Sequence, residues 1–136
     1  MTVLSQEDKL AITDVLNRYV HHVDSNEADE WLALFTEDGA FDIPGLMRLE
    51  GRDQLRTMVA TVAEQGGGKW RHQITNVVVD AGETAGLARV RAYGLVTDWN
   101  QGGQPIAFTD YRIKMRNQGG WKIHELIAGP VAIPGQ

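Results

Sequence analysis

Apolar residues recur at helical spacing through the first third of the chain. Ile12, Val15, Leu16, Tyr19 and Val23 share one face of a helix that runs to about Asp24. Ser5, followed by Gln6, Glu7 and Asp8, supplies its start: a capping hydroxyl, then acids facing the positive end of the helix dipole. A second, short helix carrying Trp31, Leu34 and Phe35 is predicted after a cap at Ser25 or Asn26, ending at Glu37-Asp38-Gly39. Ala40–Ile43 reads as a short strand stopped by Pro44-Gly45, with Arg48–Glu50 as its hairpin partner. Leu55, Met58, Val59 and Val62 mark a third helix, closed by Gly66-Gly67-Gly68.

Beyond this point the period changes from helix to strand. Trp70–Asp80, Thr84–Trp99, Ile106–Arg116 and Trp121–Ile127 are rich in β-branched and aromatic residues and separated by turn signals. Asn100-Gln101-Gly102-Gly103 and Asn117-Gln118-Gly119-Gly120 repeat the same turn chemistry without an internal repeat of structure. Helices first and antiparallel strands afterwards predict an α+β fold. Strands this long must twist and curl. The early helices then cover the concave side, and the space between is a natural place for a small molecule.

Composition narrows the partners. The chain has 136 residues, enough for one domain spanning 1–136. Its net charge is -5, and it has no clustered Lys and Arg of the kind that displaces phosphate counterions. Nucleic acid is therefore not expected as a partner, nor an anionic membrane surface. With no cysteine, thiolate nucleophiles, thiolate metal sites and disulfides are excluded. The first residues lack a basic segment leading into an apolar stretch, so the expected location is cytoplasmic. Neither a Walker loop, a dinucleotide fingerprint nor a nucleophile elbow is present.

Three stretches carry a resemblance. Ile12–Phe41 contains an Arg18-Tyr19 pair late in the first helix, then Asp24, then the Leu34-Phe35-Thr36-Glu37-Asp38 turn. Trp70-Arg71-His72-Gln73-Ile74-Thr75-Asn76 opens the first long strand, and Gly119-Gly120-Trp121-Lys122-Ile123 the last. Together they resemble the SnoaL-like branch of the NTF2-like superfamily, over nearly the whole chain. The resemblance implies a cone: N-terminal helices packed on a highly curved, mainly antiparallel sheet around a small-molecule pocket. It also implies a homo-oligomer, because exposed sheet faces often pair in that superfamily.

Within that branch the chain is similar to scytalone dehydratase, bile-acid 7α-dehydratase and γ-hexachlorocyclohexane dehydrochlorinase. The last two share a spacing reproduced here: Tyr19, then Asp24 five positions on, then His72 a further 48 positions on. The implied reaction is elimination without a cofactor or metal. A base near neutral pH removes a proton from carbon, and histidine suits that role. A buried carboxylate on the other ring nitrogen sets the tautomer and stabilises the imidazolium. A phenol polarises a carbonyl or donates to a departing hydroxyl. His72 is thus the candidate base, Asp24 its orienter and Tyr19 the donor. Alternation along the strand places Trp70, His72, Ile74 and Asn76 on one face. Trp31, Phe35, Trp70, Asn76, Tyr93 and Phe108 are the candidate substrate-binding residues.

The chain also departs from its relatives. No histidine lies between His72 and His124, and the C-terminal region lacks the arginine that the bile-acid and dehydrochlorinase enzymes use there. Lys122, Arg112 and Arg91 are the available substitutes. Asp42 lies one residue before the position where ketosteroid isomerase keeps its base, which reverses its face in a strand. Isomerase or cyclase chemistry with the same dyad, or a non-catalytic binding domain, are the alternatives. His21 and His22 lie about 100° apart on the helix and read as surface residues.

Overall fold

The computed structural model describes residues 3–136. Its first helix, α1, spans Gln6–Asp24. The Ser5 hydroxyl accepts the Asp8 backbone N–H at 3.0 Å, and the Asp8 carboxylate accepts the Ser5 N–H at 3.2 Å. This reciprocal cap satisfies two of the helix's orphan donors. The other Asp8 oxygen takes the Trp121 indole N–H at 3.0 Å, tying the start of α1 to the far end of the chain. Ile12, Leu16, Tyr19, Val20 and Val23 form the buried face.

The second helix, α2, is shorter than its sequence predicts, Ala28–Leu32, with Glu27 rather than Ser25 or Asn26 at its N-cap. Strand β1 already begins at Phe35 and runs to Ile43. Phe35 therefore belongs to the sheet, paired with Ile123, and Gly39 does not end a helix. Gly39 sits in a register shift between Phe35 and Ala40, where an added Cβ would lie 3.0 Å from the Thr36 carbonyl oxygen. Glycine here accommodates a bulge. Tertiary pairing has overridden a helical pattern one turn long.

Strand β2, Met47–Glu50, closes a hairpin with β1, and α3 follows over Gly51–Gly66. Gly67 ends α3 at φ 57°, the left-handed cap that glycine adopts without strain. The remaining strands are β3 (Trp70–Ala81), β4 (Leu87–Asp98), β5 (Gln104–Asn117) and β6 (Trp121–Ala132), with a short 3-10 turn at Trp99–Gln101. The last strand continues past Ile127 to Ala132, because its end pairs with Phe108 and Thr109.

The six strands form one sheet in the order β2-β1-β6-β5-β4-β3, antiparallel except for the parallel pair β1 and β6. Three helices pack against this sheet. Ile12, Leu16, Trp31, Phe35, Leu55 and Val59 meet Val90, Ile113, Met115, Ile123 and Leu126 in a single core. Each such side chain contributes roughly 1.5–3 kcal/mol by leaving water. Strand β3 is a sheet edge and lies against α1, so the end of that helix and the start of that strand meet at one rim of the fold. Among the described residues no helix is long and apolar enough to cross a membrane.

A bulge interrupts β3. The register shifts between Thr75 and Val78, and Asn76 has φ 55°. Trp70 and Ile74 pack on the core before the bulge, and Val77 and Val79 after it. The alternation is thus out of phase across the interruption.

Candidate functional site

Asp24 is the last residue of α1, and His72 is the third of β3. One oxygen of the Asp24 carboxylate lies 2.6 Å from His72 Nδ1, and the other accepts the His72 backbone N–H at 2.7 Å. A carboxylate only accepts, so Nδ1 carries the proton and Nε2 is left with its lone pair. The pair is largely removed from water, with side chains 7% exposed for Asp24 and 14% for His72. Among the described residues Nε2 has no hydrogen-bond partner, and it is not sealed from solvent. This arrangement can take a proton at Nε2 and share the resulting charge with Asp24.

A cleft of about 460 Å³ opens beside the dyad, between α1 and β3. Asn17, Val20 and His21 line it from the helix; Gln73, Ile74 and Thr75 line it from the strand. At its rim the Arg71 guanidinium stacks 4.5 Å over the Trp99 ring. Arg71 also donates to the Gly68 and Trp70 carbonyls at 3.0 and 2.8 Å, which fixes the approach to β3.

Tyr19 does not line that cleft. Its ring is buried in an aromatic cluster, 5.6 Å from Trp31 and 6.3 Å from Phe35 between centroids. Burial pushes its phenol well above the ordinary value, and the proximity of the Tyr111 phenol and the Asp24 carboxylate adds to the shift. Tyr19 therefore stays protonated, as a donor. Its hydroxyl has no hydrogen-bond partner among the described residues, yet is not fully enclosed. Trp31 and Phe35 are fully buried beside it. The Trp31 indole N–H is buried and unpartnered. Trp70 is half-buried and packs on Gly66, where a Cβ would come within 2.6 Å of its ring.

Three of the predicted binding residues lie elsewhere. Asn76 is exposed, because the bulge takes it off the face shared by Trp70 and Ile74. Tyr93 is 58% exposed and Phe108 45%, both on the sheet face opposite the helices, where they alternate with buried Ala92 and half-buried Ala107. Their aromatic character suggested a lining; strand parity puts them outside. Of the cations considered as arginine substitutes, Lys122 donates to the Ala33 carbonyl at 2.8 Å. Arg91 and Arg112 are exposed, on the outer face with Tyr93. Asp42 is ion-paired with Arg48 at 3.0 Å, and His22 with Glu27 at 3.0 Å. Among the described residues no group of three or more His, Asp or Glu side chains is placed to hold a metal ion.

A second buried phenol near Asp24, not singled out by the sequence, is Tyr111. It lies on β5, 4% exposed, with its phenol raised to about 12 by burial and by the Asp24 charge. Its parity with Ile113 and Met115 marks it as inward-facing, but nothing in the spacing links it to the dyad.

Residues 5–127 match the SnoaL-like domain family. No curated protein sequence matches the chain. Three similar solved structures come from Novosphingobium aromaticivorans. An NTF2-like protein with a cystatin-like fold has a TM-score of 0.79 at 20% identity, covering 95% of this chain and 83% of its own. A protein provisionally called an aromatic ring hydroxylase has a TM-score of 0.76 at 26% identity, covering 96% of both chains. One provisionally called a scytalone dehydratase has a TM-score of 0.74 at 19% identity, covering 96% of this chain and 89% of its own.

Proposed function

The chain belongs to the SnoaL-like domain family, and on that premise we propose that it is a cofactor-independent lyase of the dehydratase or dehydrohalogenase type. Its substrate is a small, mostly apolar, ring-containing molecule. One observation carries the reading: the 2.6 Å contact of Asp24 with His72 Nδ1, which leaves Nε2 unpartnered. A core histidine would have both nitrogens satisfied or one sealed in apolar packing.

In the proposed reaction Nε2 removes a proton from carbon. The C–H electron pair becomes the new double bond, and the leaving group departs with its own bonding pair. Asp24 offsets the imidazolium charge, and water then takes the proton from Nε2. In this reading Tyr19, kept neutral by burial, would donate to a carbonyl or to the departing oxygen from the core side of the dyad, since it does not line the open cleft. Trp70 and Ile74 flank the imidazole, while Trp31 and Phe35 back the phenol. The electron count needs no redox partner.

Proton return to a different carbon by the same Nε2 gives the second reading, an isomerase. The single unpartnered base favours it equally, and only the product distinguishes the two. We also include in the proposal a homo-oligomer through the outer sheet face, supported by the exposed Val78, Tyr93 and Phe108.

The test is a screen of cyclic β-hydroxy ketones and halogenated rings, with products followed by mass. Loss of water or hydrogen halide supports the lyase; unchanged mass with a shifted double bond supports the isomerase. Binding with no turnover in wild type, or turnover equal in wild type and His72→Gln, removes both.

A further inference from the structure

The cleft beside the dyad holds one fixed cation that the proposed chemistry does not use. Arg71 precedes His72 on β3, and both line the cleft together with Asn17, His21 and Trp99. Two hydrogen bonds and a stack hold its guanidinium in place. Nη1 donates to the Gly68 carbonyl at 3.0 Å and to the Trp70 carbonyl at 2.8 Å, which uses both of its hydrogens. The central carbon lies 4.5 Å from the Trp99 ring centroid, where the π face attracts a cation. Among the described residues Nε and Nη2 have no acceptor, and they form the edge whose parallel N–H groups match a carboxylate.

The protein supplies no counterion for that edge. Among the described residues Arg71 forms no ion pair, and Asp24, the one carboxylate lining the cleft, is committed to His72 through both oxygens. Asp98 stands opposite Trp70 across the ladder, but it takes the Asn100 N–H, the Asn100 amide and the Gln101 amide, each at 2.9 Å. A half-buried charge held in one place without a counterion is ready to accept one. The net charge of the chain is -5, so its overall field does not draw anions in and the attraction has to be local. Trp99 is 56% exposed at the same rim, which leaves indole surface open to a flat ligand.

We infer that Arg71 anchors a carboxylate on the substrate through its Nε and Nη2 edge, which makes the cleft a site for ring-bearing carboxylic acids. This rests on the lyase or isomerase reading and narrows its substrate class. The carboxylate takes no part in bond making; it orients the ring. Asp24 repels it and Arg71 attracts it, so the acid end stays at the rim and the ring is turned toward His72. The cleft, at about 460 Å³, has room for one such ring. Because the Gly68 and Trp70 carbonyls and the Trp99 ring already hold the guanidinium, little side-chain freedom is lost when the ligand arrives.

The probe is benzoate, with benzamide as a neutral control of the same shape, and binding is followed by calorimetry. Wild type is expected to prefer benzoate, and Arg71→Gln to weaken it about tenfold or more, as for a hydrogen bond between charged groups. Binding of benzamide should stay unchanged. Arg71→Lys keeps the charge but not the fork, and should recover only part of the loss. If a variant fails to fold, arginine labelled with nitrogen-15 in wild type provides the readout: the Arg71 Nε–H resonance should shift with benzoate and not with benzamide. No preference for benzoate in wild type, benzoate affinity unchanged in Arg71→Gln, or an unshifted Nε–H resonance overturns the inference. So does a loss confined to His21→Gln, the other basic side chain lining the cleft. The dyad reading is judged separately, by turnover in His72→Gln. Loss of turnover there with intact benzoate affinity in Arg71→Gln leaves the base in place and removes only the anchor.

Discussion

The Asp24 carboxylate grips His72 twice, at ring Nδ1 through one oxygen and at the backbone N–H through the other. The side-chain contact sets the tautomer; the backbone contact anchors the first residues of an edge strand to the end of α1. Chemistry and local structure therefore depend on the same two oxygens, and substitutions at the two residues should differ in kind.

His72→Gln removes the base and leaves the Asp24 contact to the backbone N–H. On a true substrate kcat should fall by about 10²–10⁴, with KM changed less, since the base acts in the transition state. Single-turnover kinetics beside a thermal melt measures this. Normal turnover per folded molecule with a depressed Tm would make His72 a structural residue and end the lyase assignment.

Asp24→Asn should uncouple rate from stability. The amide oxygen can still accept the backbone N–H, while its NH₂ donates to Nδ1 and forces the proton onto Nε2, the wrong tautomer. Turnover should drop severely with a small change in Tm. Asp24→Ala should lose activity and also about 1–3 kcal/mol of stability, because it strips the buried N–H and Nδ1 of their acceptor. Denaturant unfolding of the two variants separates the effects; equal destabilisation would argue against the double grip.

The two buried phenols predict weakening in alkali. Tyr111 is raised to about 12 and Tyr19 well above the ordinary 10.0. A folded-state pKa raised above the unfolded value means the stability is intact below about pH 10 and is lost as pH rises toward the folded value. Tyrosinate absorbance should show two phenols that ionise only as the fold opens. Tyr111→Phe should lessen the loss of stability above the ordinary tyrosine range. Two-step ionisation of both phenols in the intact fold near the ordinary value would contradict the burial argument.

At the acid end the informative group is Asp8. The Trp121 indole N–H, then the Ser5 cap, hold its carboxyl below the ordinary 3.8. A depressed folded pKa contributes stability above the unfolded value, and the contribution disappears as pH falls through the folded one. Asp8→Asn should lower Tm at neutral pH, and the gap to wild type should narrow below about pH 4. A gap that stays constant with pH would show that the charge is not what matters.

Much of the architecture was legible along the chain because it depends on neighbours in sequence. The capped amphipathic α1, the glycine stop of α3 and the four long strands with their turns are local patterns, and the α+β fold follows from their order. Resemblance, not periodicity, singled out Tyr19, Asp24 and His72 together. A one-turn apolar pattern at Leu34-Phe35 does not reveal that β6 waits beside it, so β1 starts earlier than its own sequence suggests. Strict alternation cannot foresee the bulge at Asn76, which places that amide outside the face of Trp70 and Ile74. Nor does the segment Ala92-Tyr93-Gly94 say which neighbour needs the space above Gly94. Local sequence sets the period of an element; pairing register and packing set which of its side chains meet. The 2.6 Å contact between residues 48 positions apart, and the packing of the Tyr111 ring over Gly94, exist only once the sheet has chosen its partners.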